Sequence, residues 1–141
     1  MTDTPEFMER IGELASGFQR SQILFTANEA NVFPLLEEER SAEEVAERLG
    51  WDSRPARMLL DGLVALELVR KNRGRYRNEP IASACLIPGK PAYQGHYLRH
   101  QHNGWDTWSR LAEAVRTGRA VQTRPERTPE ELRHFILAMA E

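Results

Sequence analysis

Residues 41–77 read SAEEVAERLGWDSRPARMLLDGLVALELVRKNRGRYR, and this stretch decides the fold class. It opens on a capping box, in which the Ser41 hydroxyl accepts from the Glu44 amide and the Glu44 carboxylate reaches back to Ser41. Val45, Ala46 and Leu49 supply an apolar stripe, and Gly50 ends the helix. A second helix starts at Asp52 or Ser53, with Pro55 in its first turn. It carries Met58, Leu59, Leu60, Leu63, Val64 and Leu66, with Leu59, Leu63 and Leu66 marking one buried face and Leu60 and Val64 a second. Two helices around a tight Gly50-Trp51 turn form a helix-turn-helix pattern. Leu68-Val69-Arg70 and Arg75-Tyr76-Arg77 then flank a polar Lys71-Asn72-Arg73-Gly74 turn, which predicts a hairpin. A hairpin directly after a helix-turn-helix is a wing. The stretch therefore predicts a winged helix, with a core over about residues 32–78.

Outward from this core the pattern stays helical. Phe7, Ile11, Leu14, Phe18 and Phe25 follow helical spacing over residues 5–31, with Met8 and Ala15 widening the seam. Gly12 and Gly17 each cost roughly 1 kcal/mol relative to Ala in a helix interior, so a break or a close helix contact is expected near them. Asn31 can take the left-handed conformation that ends a helix. Beyond the wing, Pro80 opens a short helix through Leu86, and residues 88–91 form a loop. A long helical stretch runs from Ala92 with Tyr93, Tyr97, Trp105, Trp108, Leu111 and Val115, and Asn103-Gly104 is the expected interruption. Residues 117–129 read as an exposed loop. Thr128 caps a last helix with Pro129 at its first position and an apolar face of Leu132, Phe135, Ile136 and Met139. The fold class is thus mostly α: a winged helix with additional N- and C-terminal helices. Residues 1–141 are expected to form a single domain.

Composition excludes several function classes. With 19 basic against 21 acidic residues the formal charge is −2, which argues against a strongly basic nucleic-acid protein and against an acidic tail. Cys85 is the only cysteine, so an internal disulfide is excluded and a cysteine-based zinc site is not expected. Cys85 itself, among Ala82, Ala84, Leu86 and Ile87, reads as a small buried core thiol. No apolar run approaches the ~18 residues of a membrane span, and the acidic N-terminus lacks a signal-peptide core. A cytoplasmic protein with no membrane partner is expected.

His96, His100 and His102 cluster, and His96 and His100 share a helix face. Zinc enzymes of that spacing place Glu after the first His, where this chain has Tyr97, so no metal is expected. The closest two glycines are five residues apart, which removes the Gly-rich turn that dinucleotides, ATP or S-adenosylmethionine need for a Rossmann-type site. No cofactor is expected in this chain. Arg70, Lys71, Arg73, Arg75 and Arg77 make the wing basic enough to touch phosphates. The helix before it offers polar side chains only near its start (Arg54, Arg57, Asp61), so specific nucleic-acid binding is not expected. Trp105 and Trp108 suit a core or an aromatic pocket equally.

Several segments together resemble the N-terminal region of small-molecule O-methyltransferases, the group of the plant caffeate-type, acetylserotonin and bacterial polyketide enzymes. They are FQRSQILFTANEANVF at 18–33, the helix from Ser41 to Leu49, RMLLDGLVALELV at 57–69, WDTWSRL at 105–111, VRTG at 115–118 and FILAM at 135–139. The likeness covers nearly the whole chain in order. Asn31 and Glu67 stand where that family commonly has Gly.

The resemblance implies a dimerisation module. Helices around 5–31 and 92–141 would intertwine with a second copy into a homodimer and help wall the pocket of an aromatic or polyketide acceptor. By family position Phe18, Gln22, Trp105 and Trp108 are acceptor-binding candidates, with Phe135 and Met139 near the junction to a catalytic domain. Packing of the dimer core is the competing role for all six. The family's S-adenosylmethionine-binding Rossmann domain, with its Gly-rich loop and catalytic His, has no counterpart in these residues. A fragment that is not catalytic alone is expected, and no catalytic residue carries over. Two rival functions remain at this point: a winged-helix DNA-binding transcription regulator and a stand-alone binder of aromatic ligands.

Overall fold

The computed structural model describes residues 4–121 and 128–140. They divide into two compact units that meet in sequence between Ser83 and Ala84.

The first unit begins with α1 (Thr4–Glu29), followed by one helical turn, α2 (Val32–Leu35). Asn31 between them has φ 54°, a conformation that its short polar side chain tolerates. No break occurs in α1 at Gly12 or Gly17, and nothing lies within 4 Å of where either Cβ would sit. The helical ladder absorbs both glycines. The Ser16 and Ser21 hydroxyls donate back to the carbonyls of Gly12 (2.8 Å) and Gly17 (3.3 Å), which keeps those carbonyls bonded inside the helix.

A two-residue strand β1 (Arg40–Ser41) leads into α3 (Ala42–Leu49) and α4 (Ser53–Ala65). The capping box is present, with Ser41 N–H donating to Glu44 Oε2 (2.6 Å) and Glu44 N–H to Ser41 Oγ (3.1 Å). Asp52 caps α4 by accepting from Arg54 N–H (2.9 Å). Both helices end in the same paired arrangement of backbone bonds. Past α3, Trp51 N–H donates to Ala46 O (2.9 Å) around Gly50 at φ 67°; past α4, Leu68 N–H donates to Leu63 O (3.1 Å) and Glu67 N–H to Val64 O (2.9 Å) around Glu67 at φ 58°. This is the Schellman closure, which places one residue in the left-handed region.

The wing is β2 (Val69–Asn72) and β3 (Arg75–Asn78), joined by Arg73-Gly74. The turn is therefore two residues long, not the four expected. Both have positive φ, 47° and 77°, which matches the right-handed twist of the flanking strands. Strand β1 adds to the far side of β3, so the antiparallel sheet has the order β1-β3-β2. The core is Val32, Phe33, Leu36, Val45, Leu60, Leu63, Val69 and Tyr76, all fully buried. On α4 the chain buries one stripe, Ala56, Leu60 and Leu63, where the sequence suggested two faces. Leu59, Val64 and Leu66 flank the stripe half-buried, and Met58 is exposed. Asn78 stitches β3 to α2: its backbone N–H donates to Leu36 O (2.9 Å) and its Nδ2 to Phe33 O (2.8 Å).

Helix α5 (Pro80–Cys85) crosses into the second unit. Cys85 is half-buried, not a core thiol, and its carbonyl accepts from Gln94 N–H (2.7 Å). The long helical stretch expected from Ala92 starts only at Gly95 and breaks twice, into α6 (Gly95–Asn103), α7 (Trp105–Ser109) and α8 (Leu111–Thr117). The first break is at Gly104, as expected. The second, at Arg110, has no glycine or proline to announce it; Arg110 N–H turns back to Thr107 O (3.2 Å), tightening the last turn of α7. Gly118, at φ 65°, closes α8. Of the loop expected over 117–129, residues 122–127 lie outside the described residues. Helix α9 (Pro129–Ala138) carries its capping box, with Thr128 N–H to Glu131 Oε2 at 2.8 Å and Glu131 N–H to Thr128 Oγ1 at 3.2 Å.

Candidate functional site

The buried contacts of helix α1 with its unit lie toward its C-terminal end. Ile23 packs on Gly62 of α4 so closely that a Cβ there would lie 3.1 Å from Ile23 Cδ1, and Ala27 and Asn28 are buried. From Phe7 to Phe18 it presents the seam to solvent: Phe7, Met8, Ile11, Leu14 and Phe18 are 53–72% exposed. A continuous stripe of large apolar side chains on one helix face is the kind of surface that association removes from water.

The six acceptor candidates distribute over both units. Phe18 and Gln22 lie one turn apart on α1, the first exposed and the second half-buried. Trp105 and Trp108 are on α7; Trp105 is half-buried and Trp108 is 70% exposed. Phe135 is half-buried on α9, while Met139, just past that helix, is 76% exposed. Trp108, Leu111 and Val115 form an exposed apolar stripe along α7 and α8, and Leu132, Ile136 and Met139 another along α9. None of α7, α8 and α9 contains a fully buried residue.

Helices α6 and α9 pack on each other through rings. His100 meets the Phe135 ring with centroids 5.1 Å apart. His96 and His134 stack at 5.2 Å with their Nδ1 atoms 3.0 Å apart. His96 and His100 share a face, as their spacing requires, but what they face is α9. Among the described residues no group of three or more His, Cys, Asp or Glu side chains could hold a metal ion. His134 was missed in the sequence because its partner is 38 residues away; no local signal marks it.

The wing's charges are largely engaged. Lys71 and Tyr76 are cross-strand partners, and both reach Asp61 of α4: Lys71 Nζ donates to Oδ1 at 2.7 Å and Tyr76 Oη at 2.8 Å. The Lys71 hydrogen bond, supported by that of Tyr76, holds the Asp61 carboxyl below its ordinary range. The bond to Asp61 raises Lys71, and burial raises the Tyr76 phenol. Arg75 pairs with Glu44 (2.9 Å), Arg70 lies 3.9 Å from Glu79, and Arg57 at the start of α4 pairs with Glu43. The hydrogen bond from Ser41 N–H lowers the Glu44 carboxyl. Arg73 and Arg77 are exposed. A cation already held by a carboxylate contributes less to phosphate binding than a free one.

A groove of about 460 Å³ runs between α1 and the start of α4, with Thr26, Trp51, Pro55 and Leu59 among its walls. Neither Phe18 nor Gln22 lines it. Among the described residues no helix is long and apolar enough to cross a membrane.

Comparison with known proteins gives this arrangement a lineage. Residues 12–88 match the family described as the O-methyltransferase dimerisation domain. The 3-hydroxy-5-methyl-1-naphthoate 3-O-methyltransferase of Streptomyces sahachiroi is 39% identical over 119 residues, 81% of this chain and 34% of that protein. The N,N-dimethyltransferase OxyT of Streptomyces rimosus is 35% identical over 120 residues, 84% of this chain and 35% of that protein. Human N-acetylserotonin methyltransferase, whose crystal structure was solved in complex with SAM, superposes with a TM-score of 0.82 at 29% identity, over 98% of this chain and 45% of that one. The chain thus spans about a third of the length of the curated relatives it matches. The family match begins inside α1 and continues through the helix-turn-helix and wing to Pro88, over half of the residues. Those segments are the ones that build the first unit, and by them the chain belongs to the O-methyltransferase dimerisation domain family.

Proposed function

We propose that this chain is the dimerisation and acceptor-wall module of a cytoplasmic S-adenosylmethionine-dependent methyltransferase acting on an aromatic or polyketide small molecule. One observation carries the homodimer: between Phe7 and Phe18 helix α1 leaves five large apolar residues in solvent on one stripe, in a chain whose family is defined by dimerisation. The second unit has exposed apolar stripes of its own on α7–α8 and α9, and obligate homodimers bury about 2,000 Å² or more. Light scattering at micromolar concentration should give twice the chain mass, and Ile11→Asp should return it to a monomer. A wild-type monomer at that concentration overturns the reading.

The acceptor role of Phe18, Gln22, Trp105, Trp108, Phe135 and Met139 is supported by their family positions. Aromatic faces stack flat acceptors, and the Gln22 amide can hydrogen-bond one. A relative named for a naphthoate substrate supports an aromatic acceptor. A relative named for N,N-dimethylation matches the same region, so this region does not by itself fix whether oxygen or nitrogen is methylated. In the protein joined to a catalytic domain, Trp105→Ala should raise the acceptor KM more than the donor KM; an equal rise assigns Trp105 to packing instead.

The rival reading of a DNA-binding regulator loses its support at the wing, where Lys71, Arg75 and Arg70 face carboxylates. Binding through Arg73 and Arg77 would be weak and would fade with salt.

A further inference from the structure

We propose that helix α1 pairs antiparallel with α1 of a second copy, about a two-fold axis that crosses the helix midway between Gly12 and Glu13. This rests on the homodimer reading above and adds its orientation and register. The seam that α1 leaves in solvent is Phe7, Ile11, Leu14 and Phe18, each 53–65% exposed. Its steps of four, three and four residues read the same in both directions, and so does its order of side chains: aromatic, aliphatic, aliphatic, aromatic. A two-fold contact needs such self-complementarity, because one patch must fit itself. Set antiparallel, Ile11 lies level with Leu14 of the second copy and Phe7 with Phe18 of the second copy. Four apolar layers result, at the spacing that lets side chains of two helices interlock. Phe18 is also engaged within its own chain; the part of it left in solvent is what meets Phe7.

The flanks of the seam fit the same register. Met8 and Ala15 border it on one side, Arg10 and Gly17 on the other. About the axis, Met8 comes beside Ala15 of the second copy and Arg10 beside Gly17 of the second copy, each offset by about 3 Å along the helix. A long side chain thus meets a small one on both flanks. This gives Gly17 a reason to be glycine that the single chain lacks: its φ is not positive, and nothing lies within 4 Å of where its Cβ would sit.

Charge sets the direction. Residues 4–13 of α1 carry Glu6, Glu9 and Glu13, with Arg10 as their one cation. A parallel pair would set each carboxylate at the height of its own copy, and like charges facing across an interface oppose association. The antiparallel pair brings Glu6 to within about one residue of the height of Arg20 of the second copy, on the Arg10 side of the seam, and opposes the two helix dipoles. The register also leaves room for each first unit. Ile23, which packs on Gly62, is on the far side of α1 from the seam. Ala27 and Asn28, which α1 buries, come level with points beyond Thr4, the first residue of α1, in the second copy.

The test reads distance and affinity on this chain. Spin labels are attached singly at Glu13→Cys and at Glu29→Cys, both exposed sites on α1, in a Cys85→Ser background. At 1.5 Å per residue the antiparallel pair holds the two Glu13→Cys labels within about 20 Å of each other and the two Glu29→Cys labels about 45–50 Å apart. Equal distances at the two sites, the result for a parallel pair, overturn the proposal, as do long distances at both. Gly17→Leu should weaken the dimer about tenfold or more in sedimentation equilibrium, because its side chain takes the space of Arg10 of the second copy. Its helical circular-dichroism signal should hold or grow, since Leu favours helix over Gly. Gly12→Ala, off the seam, should change the dimer constant by less than about threefold. An unchanged constant in Gly17→Leu overturns the register. A wild-type monomer at micromolar concentration removes the homodimer reading itself, whereas a wild-type dimer without this gradient of distances removes only the antiparallel pairing.

Discussion

Replacing Glu67 by glycine is expected to stabilise the protein. Glu67 sits at φ 58° in the closure of α4, the position that Gly50 fills after α3 at φ 67°. An L-residue in that region brings its Cβ against the following carbonyl, at a cost of roughly 1–2 kcal/mol. Glycine escapes this cost but gives the unfolded chain more freedom, which returns about 0.5–1 kcal/mol. The net gain is about 0.5–1 kcal/mol, or a rise in Tm of about 2–5 °C for a chain of this size. Nothing offsets it on the folded side. The Glu67 side chain is exposed and takes part in no hydrogen bond or ion pair among the described residues. The two backbone bonds of the closure, Glu67 N–H to Val64 O and Leu68 N–H to Leu63 O, need no side chain. Thermal and urea unfolding followed by circular dichroism would measure the change. Glu67→Ala is the control: it removes the carboxylate but keeps the Cβ, and it should move Tm far less than Glu67→Gly. Asn31→Gly should also gain little, because Asn already tolerates φ 54°. A Glu67→Gly protein no more stable than Glu67→Ala would refute the strain argument.

Gly62→Leu should destabilise the first unit by about 1–3 kcal/mol, because even a Cβ at Gly62 meets Ile23 Cδ1 at 3.1 Å; a lowered urea midpoint with loss of α1 amide protection checks it. Asp61 and Lys71 set a pH window for the wing. The Asp61 carboxyl is lowered in the fold by its bond from Lys71, so its contribution is present above the ordinary carboxylate pKa of about 4 and is lost as pH falls through the lowered value. Lys71 is raised by the same bond, so its contribution is present below its ordinary pKa of about 10.4 and is lost as pH rises through the raised value. Between those limits Asp61→Asn should lower the urea midpoint, and the gap between wild type and variant should close below about pH 4; parallel curves across that range would show that the pair contributes nothing.

Much of the winged helix was legible because its signals are short-range. A capping box at Ser41 or Thr128 needs only residues three apart, and a left-handed closure at Gly50 only one residue of the right kind. The hairpin followed from a Gly-containing polar turn, though its length did not, since Arg73 reads as an ordinary polar residue until its φ is known. For the same reason Glu67 could be flagged as an oddity by resemblance, while its strain was visible only in the backbone. The α1 seam was equally plain as a pattern. What periodicity cannot say is whether a stripe is covered, because covering depends on elements distant in the chain.

That division has one physical cause. Hydrogen bonds that begin and end helices join atoms within about four residues of each other, so composition and order determine them, and the sequence alone determined the helix-turn-helix, its wing and the capped last helix. Burial, ring contacts and ion pairs join residues that only the folded backbone brings together. The tertiary structure alone decided that the Phe7-to-Phe18 stripe stays in solvent, that Lys71 and Tyr76 converge on Asp61, that the wing's cations are largely neutralised, and that His96 meets His134 across 38 residues.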